Sequence, residues 1–484
     1  MKRHNFGAAL CLAALLAGCG GGSGGGSTIG GGDTGAAPSP PPPPPPSSTA
    51  CSLRDRQNWA AAQLREWYLF PETLPASLDP APYANVADYV DALTATARSQ
   101  RRDRYFTYVT SIAEENAFYA SGSSAGFGIR LSYDEGARRL FVSEAFENAP
   151  ALNAGIDRGT EILGIATSAG NIQDVASLFA SGGAQAVSEA LGPSTAGTTR
   201  ALRIADASGT RTVTVAKADY NLTPVSNRYG GKIIDDGGQK IGYVNLRTFI
   251  DTADPALRQV FANFRANGVT NLVVDLRYNG GGLVSIAELM ADLLGGNRST
   301  SEVFHYQVFR PEKASFNTQH NFAPKAQSVS SMRIAFIGTD GTASASELVI
   351  NGFQPYLRSG AALVGTNTYG KPVGQIAIDR AACDDRLRVI AFSTQNASRQ
   401  GDYFDGLASK MDVTCRAEDD VTRPLGDPAE ASIRTALDFL AGRSCTRIGA
   451  AAPGGAAAGA PQRPRELLMP ERPSTPQREV PGSF

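Results

Sequence analysis

The stretch Gly341-Thr342-Ala343-Ser344-Ala345-Ser346-Glu347 gathers hydroxyls and small residues between an apolar run, Met332 to Ile337, and a helix-like run, Leu348 to Phe353. That order reads as a strand, a tight turn and a helix start. A serine there stands at the positive end of a helix dipole, among backbone N–H groups. It becomes a nucleophile only if a neighbouring base takes its proton. The chain has three histidines. His4 belongs to a leader, and His305 and His320 lie in a polar stretch that reads as surface or loop, so a serine–histidine pair is not expected. Ser344 lacks a Gly-x-Ser-x-Gly elbow, and Ser-x-x-Lys occurs nowhere in the chain.

Lysine remains as the base. Lys371 stands apart, in Tyr369-Gly370-Lys371-Pro372-Val373-Gly374-Gln375, directly after the apolar run Ala362-Leu363-Val364-Gly365. A lysine accepts a proton only when neutral, and desolvation lowers its pKa from about 10.4. The flanking glycine and Pro372-Val373 imply a tight, poorly hydrated turn. Gln375 can orient the amine only if the chain bends at Gly374, because four extended residues span roughly 13 Å. Ser346 is the rival nucleophile; it reads more simply as the helix N-cap, with Glu347 near the positive end of the dipole.

The elements that must carry these residues are α/β. Ile241 to Leu246 reads as a strand, Pro255 to Asn267 as a helix, and Asn271-Leu272-Val273-Val274-Asp275-Leu276 as a fully buried strand. Arg277-Tyr278-Asn279-Gly280-Gly281-Gly282 follows, then an apolar helix from Ser285 to Leu294. Alternating strands and helices with glycine at the strand ends imply a parallel sheet that binds its ligand at those ends.

Thr342-Ala343-Ser344-Ala345-Ser346-Glu347, then Gly370-Lys371 and Gln375, resembles the carboxyl-terminal processing proteases, serine peptidases of the S41 type. Asp275-Leu276-Arg277-Tyr278-Asn279-Gly280-Gly281-Gly282 is similar to that family's Asp-Leu-Arg-x-Asn-x-Gly-Gly segment. The resemblance implies Ser344 as nucleophile, Lys371 as general base, Gln375 as its orienting partner, and the N–H groups of Ala345 and Gly281 as an oxyanion hole. It also implies a ClpP/crotonase-like α/β protease domain with an inserted or preceding PDZ domain and a small N-terminal helical domain. Pro372 stands where the family has glycine, and the loop between Ser344 and Lys371 is slightly longer than the family's.

Residues 118–223 change texture to short β runs. Gly126-Phe127-Gly128-Ile129, the hairpin around Asp134-Glu135-Gly136 and the segment from Ala154 to Ile165 resemble a PDZ domain. Its glycine-rich loop offers successive N–H groups to a peptide carboxylate, and the next strand edge pairs with that peptide. PDZ domains usually carry Asp where this chain has Thr160. The PDZ domain is expected to bind substrate C-termini or gate the cleft.

The remaining segments frame this core. Residues 1–19 combine a basic start, a short apolar run and Leu16-Ala17-Gly18-Cys19, which resembles a lipobox; the run is about half the ~20 residues a span requires, so a signal peptide with lipidation at Cys19 is expected. Residues 20–50 are a Gly/Ser-rich then Pro-rich tether, residues 51–117 a helical domain, 224–447 the protease domain, and 448–484 a tail with little to bury, expected to be disordered. Four further cysteines allow three pairings; Cys51–Cys445 and Cys383–Cys415 are favoured, and no Cys-x-x-Cys suggests zinc or redox chemistry.

A net charge of −1 makes no case for nucleic acid. The expectation is a lipid-anchored serine endopeptidase of the bacterial envelope, on the outer membrane facing the periplasm. Its partners are protein or peptide substrates, it touches the membrane through its lipid alone, and it has no metal or other cofactor; an adaptor protein or homo-oligomer stays open. The alternative is a catalytically idle PDZ-containing lipoprotein that binds exported proteins.

Overall fold

In a computed structural model the described residues are 51–450 and 465–484. Residues 1–50, with Cys19 and the expected signal peptide and tether, and residues 451–464 lie outside them. No helix among the described residues is long and apolar enough to cross a membrane.

A six-stranded sheet forms the centre, in the order Gly231–Asp236, Gln239–Asn245, Asn271–Asp275, Arg333–Gly338, Ala361–Gly365, Val413–Arg416. Only the first pair is antiparallel. Side chains alternate across its strands, as the twofold strand period requires. Leu272, Val274 and Phe336 pack against helices Ala253–Ala266, Val284–Leu294 and Ala345–Leu357. Val273, Ala335 and Ile337 pack against Ala431–Leu440 on the opposite face. Burial on both faces is why these strands are almost continuously apolar.

A second sheet joins Tyr108–Ser111, Asp385–Gln395, Val303–Phe309 and Thr318–Asn321, with Val373–Arg380 paired to Asp385–Gln395. Helices Leu53–Trp67 and Val86–Leu93 pack Leu64 and Val90, with Tyr68 directly after the first helix, onto Leu387, Val389 and Ile390 of this sheet. The N-terminal helices therefore share a core with the strands that follow Lys371, rather than closing one of their own within 51–117.

A third, antiparallel sheet runs Ile129–Asp134, Arg139–Ala145, Glu161–Ala166, Thr199–Asp206, Gly209–Ala216, covered by helix Val175–Leu191. Its free edge is taken by Glu466–Leu467 from the tail. The tail is thus ordered over 465–484, against the expectation of disorder for 448–484. It carries few apolar residues, but its backbone satisfies itself on a ready-made strand edge, and Leu468, Val480 and Phe484 are buried.

The disulfides also differ from the favoured pairing: they are Cys51–Cys383 and Cys415–Cys445, with Cα–Cα separations of 5.6 and 5.3 Å. Cys383 sits in the turn Ala381–Cys383, beside the start of the first helix, where Arg56 pairs with Asp385. Cys445 runs alongside the last parallel strand, its neighbour Thr446 accepting the Arg416 N–H at 2.7 Å.

Candidate active site

Three loops at the carboxyl ends of neighbouring parallel strands meet at Ser344. The first, 276–282, follows Asn271–Asp275. Tyr278, Gly281 and Gly282 have φ of 64°, 121° and 132°. A Cβ on Gly281 would lie 2.7 Å from Ser344 Cβ, so only glycine lets this loop approach so closely. The second loop, 339–344, is stitched to the first: Ala343 N–H donates to Asn279 O at 3.0 Å and Thr342 Oγ1 to Leu276 O at 2.8 Å. The third, 366–371, joins through Tyr369 N–H donating to Thr342 O at 2.9 Å.

Ser344 is the last residue before helix Ala345–Leu357 and holds φ 54° and ψ −115°, a strained setting for a side chain with a Cβ. It is the one residue from 341 to 350 that is not buried. The expectation that Ser346 caps the helix is corrected. Ser346 is inside the helix and fully buried, and its hydroxyl donates to Asn279 O at 3.0 Å. The helix begins one residue after Ser344, so Ser344 takes the N-cap position and Ser346 is turned onto the neighbouring loop.

Glu347 organises the site, a role its sequence position at a helix start did not reveal. It is fully buried. One carboxylate oxygen accepts from Thr368 Oγ1 (2.6 Å) and Gly370 N–H (2.8 Å); the other accepts from Lys371 N–H (2.7 Å) and Ser344 N–H (3.1 Å). Burial pushes its pKa up, against these four donors.

The structure brings Lys371 and Gln375 together. Lys371 Nζ donates to Gln375 Oε1 at 3.0 Å, and Gln375 Nε2 donates to Phe106 O. The required bend is a register shift between Gly374 and Gln375 in the pairing of Val373–Arg380 with Asp385–Gln395. Burial holds the Lys371 ammonium below its ordinary pKa; Glu479 opposes this, while Arg478 and Arg388 add to it. No hydrogen bond joins Lys371 Nζ to Ser344 Oγ among the described residues.

The oxyanion donors are only partly disposed as expected. Ala345 N–H opens the helix beside Gly281. Gly281 N–H, however, donates to Asn279 Oδ1 at 2.9 Å, while Asn279 Nδ2 is anchored on Leu246 O at 2.8 Å. Gly280 N–H instead meets the carbonyl of Glu479, from the tail, at 3.0 Å. A cavity of about 890 Å³ adjoins this point, lined by Gly280, Ala343, Lys371 and Phe106 on one side and by tail residues on the other.

Gly126, Phe127, Gly128 and Ile129 open the third sheet. The N–H groups of Gly128 and Ile129 both point at the backbone oxygen of Phe484, at 2.9 and 3.4 Å. Arg130, fully buried, donates from Nη1 to Tyr278 O at 2.8 Å and to Pro481 O at 2.5 Å, while its Nε pairs with Glu144. Arg130 thus bridges the first loop of the site to this sheet, another residue the sequence did not single out.

The two histidines are not in loops. His305 and His320 face each other across strands Val303–Phe309 and Thr318–Asn321, and His305 is fully buried. Glu288 meets His305 Nε2 at 2.9 Å and His320 Nδ1 at 3.2 Å. These three could hold a metal ion; the carboxylate is shared by the two imidazoles, whose other ring nitrogens, His305 Nδ1 and His320 Nε2, are buried without a hydrogen-bond partner among the described residues.

Residues 240–400 match the sequence model of Peptidase family S41. Among curated relatives, "C-terminal processing peptidase, chloroplastic" of Tetradesmus obliquus is 27% identical over 281 residues, covering 54% of each chain. "Carboxyl-terminal-processing protease" of Synechocystis sp. is 24% identical over 324 residues, covering 66% of this chain and 70% of the relative. For most of the curated relatives it matches, the chain spans about half of their length. Among solved structures, an S41-assigned protein of Bacteroides fragilis superposes with a TM-score of 0.61 at 21% identity, covering 79% of this chain and 97% of the other; this likeness concerns the fold. The strand-end glycines and the Ser344 turn lie inside this matched Peptidase family S41 segment, and the curated relatives it is similar to include carboxyl-terminal processing proteases.

Proposed function

We propose that the protein is a serine endopeptidase in which Ser344 is the nucleophile and Lys371 the general base. The observation that carries this reading is the shared anchoring of both residues on Glu347, with the Lys371 amine buried against Gln375. Neutral Lys371 takes the Ser344 hydroxyl proton as Oγ bonds to a peptide carbonyl carbon. The tetrahedral oxyanion is met by Ala345 N–H and an N–H of the 280–282 loop, Gly281 once it leaves Asn279. The C–N bond then breaks, the lysine ammonium protonates the leaving amine, and an acyl ester remains on Ser344. Water, losing a proton to neutral Lys371, attacks the ester, releases a carboxylic acid and restores the serine.

Residues 118–223 are proposed to act as a PDZ domain whose Gly126–Ile129 loop receives the end of a protein substrate. Cys19 is proposed as a site of lipid attachment that holds the enzyme at the envelope. Labelling cells with an alkyne fatty acid tests this: label lost in Cys19→Ser supports it, and label retained refutes it.

The idle-lipoprotein reading gains from one observation, the missing hydrogen bond between Ser344 and Lys371. Purified Ser344→Ala decides between the two. Loss of at least ~1000-fold in cleavage of an unfolded protein is expected, and undiminished cleavage refutes the nucleophile assignment.

A further inference from the structure

The peptide edge and the cleft are both occupied by one segment of this chain. Glu466 and Leu467 pair antiparallel with Tyr133 and Ser132, and Leu468 N–H donates to Leu131 O at 3.0 Å. The segment then leaves the edge, crosses the cavity over residues 469–473 and forms the helical turn Thr475–Glu479. There Thr475 Oγ1 lies 3.1 Å from Thr110 Oγ1, Arg478 donates to Tyr105 O at 3.0 Å, and Glu479 places its carbonyl on Gly280 N–H. Tyr119 donates to the Glu479 carboxylate at 3.0 Å.

The chain then returns to the same edge. Leu131 N–H donates to Gly482 O at 2.8 Å, Phe484 N–H to Ile129 O at 2.9 Å, and Gly128 N–H to Phe484 O at 2.9 Å. This is strand addition, in which main-chain bonds hold a peptide and a pocket reads its side chain. The pocket is apolar: Phe484 and Leu468 join Phe127, Ile129, Val187 and Leu191 in one buried cluster. A Cβ on Gly126 would lie 2.8 Å from the Phe484 carbonyl carbon, so the loop is shaped to this backbone.

The segment is built to stay rather than to be cut. Pro470, Pro473, Pro476 and Pro481 punctuate it. Its helical turn spends carbonyls internally, on Arg478 N–H and Val480 N–H, instead of presenting an extended backbone. Meanwhile Gly281 N–H is turned to Asn279 and the cleft face of Gly280 is filled.

We propose that residues 466–484 are the resident ligand of this edge and, while bound, close the cleft; an incoming protein displaces them by presenting a segment whose last bound residue is a large apolar one, as Phe484 is. Closure of the cleft rests on the serine peptidase reading; occupancy of the edge does not.

The test uses a fluorescein-labelled peptide of residues 474–484 and unfolded casein, with the full chain and its Phe484→Asp and milder Phe484→Ala variants. The peptide is expected to bind both variants at least tenfold more tightly than the unaltered chain, and its own Phe-to-Asp version to bind neither. Equal affinity for all three proteins overturns the assignment of the ligand. Both variants are expected to cleave casein at least fivefold faster than the unaltered chain, with added peptide reversing the gain. Tenfold tighter peptide binding with equal, measurable cleavage overturns closure of the cleft. The same binding with no cleavage by any protein supports the ligand assignment and overturns the peptidase reading.

Discussion

Glu347 accepts the backbone N–H of Lys371 at 2.7 Å across 24 positions of sequence, with the same oxygen that receives the Ser344 N–H. Nucleophile and base candidates are therefore fixed to each other through one buried carboxylate. Glu347→Gln turns an amide that can accept from only one side toward four donors. Leaving one or two buried N–H groups unpaired costs about 2–3 kcal/mol. A slip of ~1 Å between the loops costs roughly 100-fold in rate. Urea midpoints and kcat should both fall, with KM changed less.

The Lys371–Gln375 contact gives a prediction with a sign. The proposed mechanism requires neutral lysine, so the rate is expected to rise with pH through the lysine pKa, which burial holds below its ordinary value. Gln375→Glu places a carboxylate where Oε1 now lies, 3.0 Å from Nζ, and stabilises the ammonium. The rising limb of the kcat/KM profile should move to higher pH by about 1–3 pH units.

Glu479→Gln should do the reverse. Glu479 is the group that most opposes the depression of the Lys371 pKa, and glutamine preserves an acceptor for Tyr119. With the charge gone, neutral lysine is favoured and the limb moves to lower pH. A pH–rate profile of this variant that superposes on the unaltered one would sink the assignment of Glu479 as a neighbour of the base.

Peptide mapping without reductant should recover Cys51 joined to Cys383 and Cys415 joined to Cys445. Replacing Cys415 and Cys445 by serine opens a loop of 30 residues. The chain-entropy estimate for that closure is about 3–4 kcal/mol, and the urea midpoint should fall accordingly.

What could be read in the sequence was local. Asn271–Asp275 and its trailing glycines announce a buried parallel strand and its loop because each residue there answers to its own strand's environment. Ser344, Lys371 and Gln375 could be singled out because small residues, prolines and glycines around them leave few conformations. The pairing of Cys51 was not readable, since it depends on which turn of a later sheet comes to rest beside the first helix. The tail was the larger miss. Its attachment needs three buried apolar residues, Leu468, Val480 and Phe484, spaced without helical or strand period, and backbone hydrogen bonds that leave no trace in composition. Glu347 and Asn279 were visible as residues, but only the meeting of three loops shows what each holds.

Arg130 gives the arrangement a thermodynamic consequence. One guanidinium nitrogen is shared between the Tyr278 carbonyl, beside the loop glycines, and the Pro481 carbonyl, in whatever lies along the strand edge. A molecule that settles in the cleft and shifts Tyr278 alters the hold on the edge, and an occupant of the edge alters the position of Tyr278. Linkage makes the two effects equal in free energy: a cleft-directed inhibitor that weakens edge binding by some factor must itself be weakened by the same factor when the edge is filled.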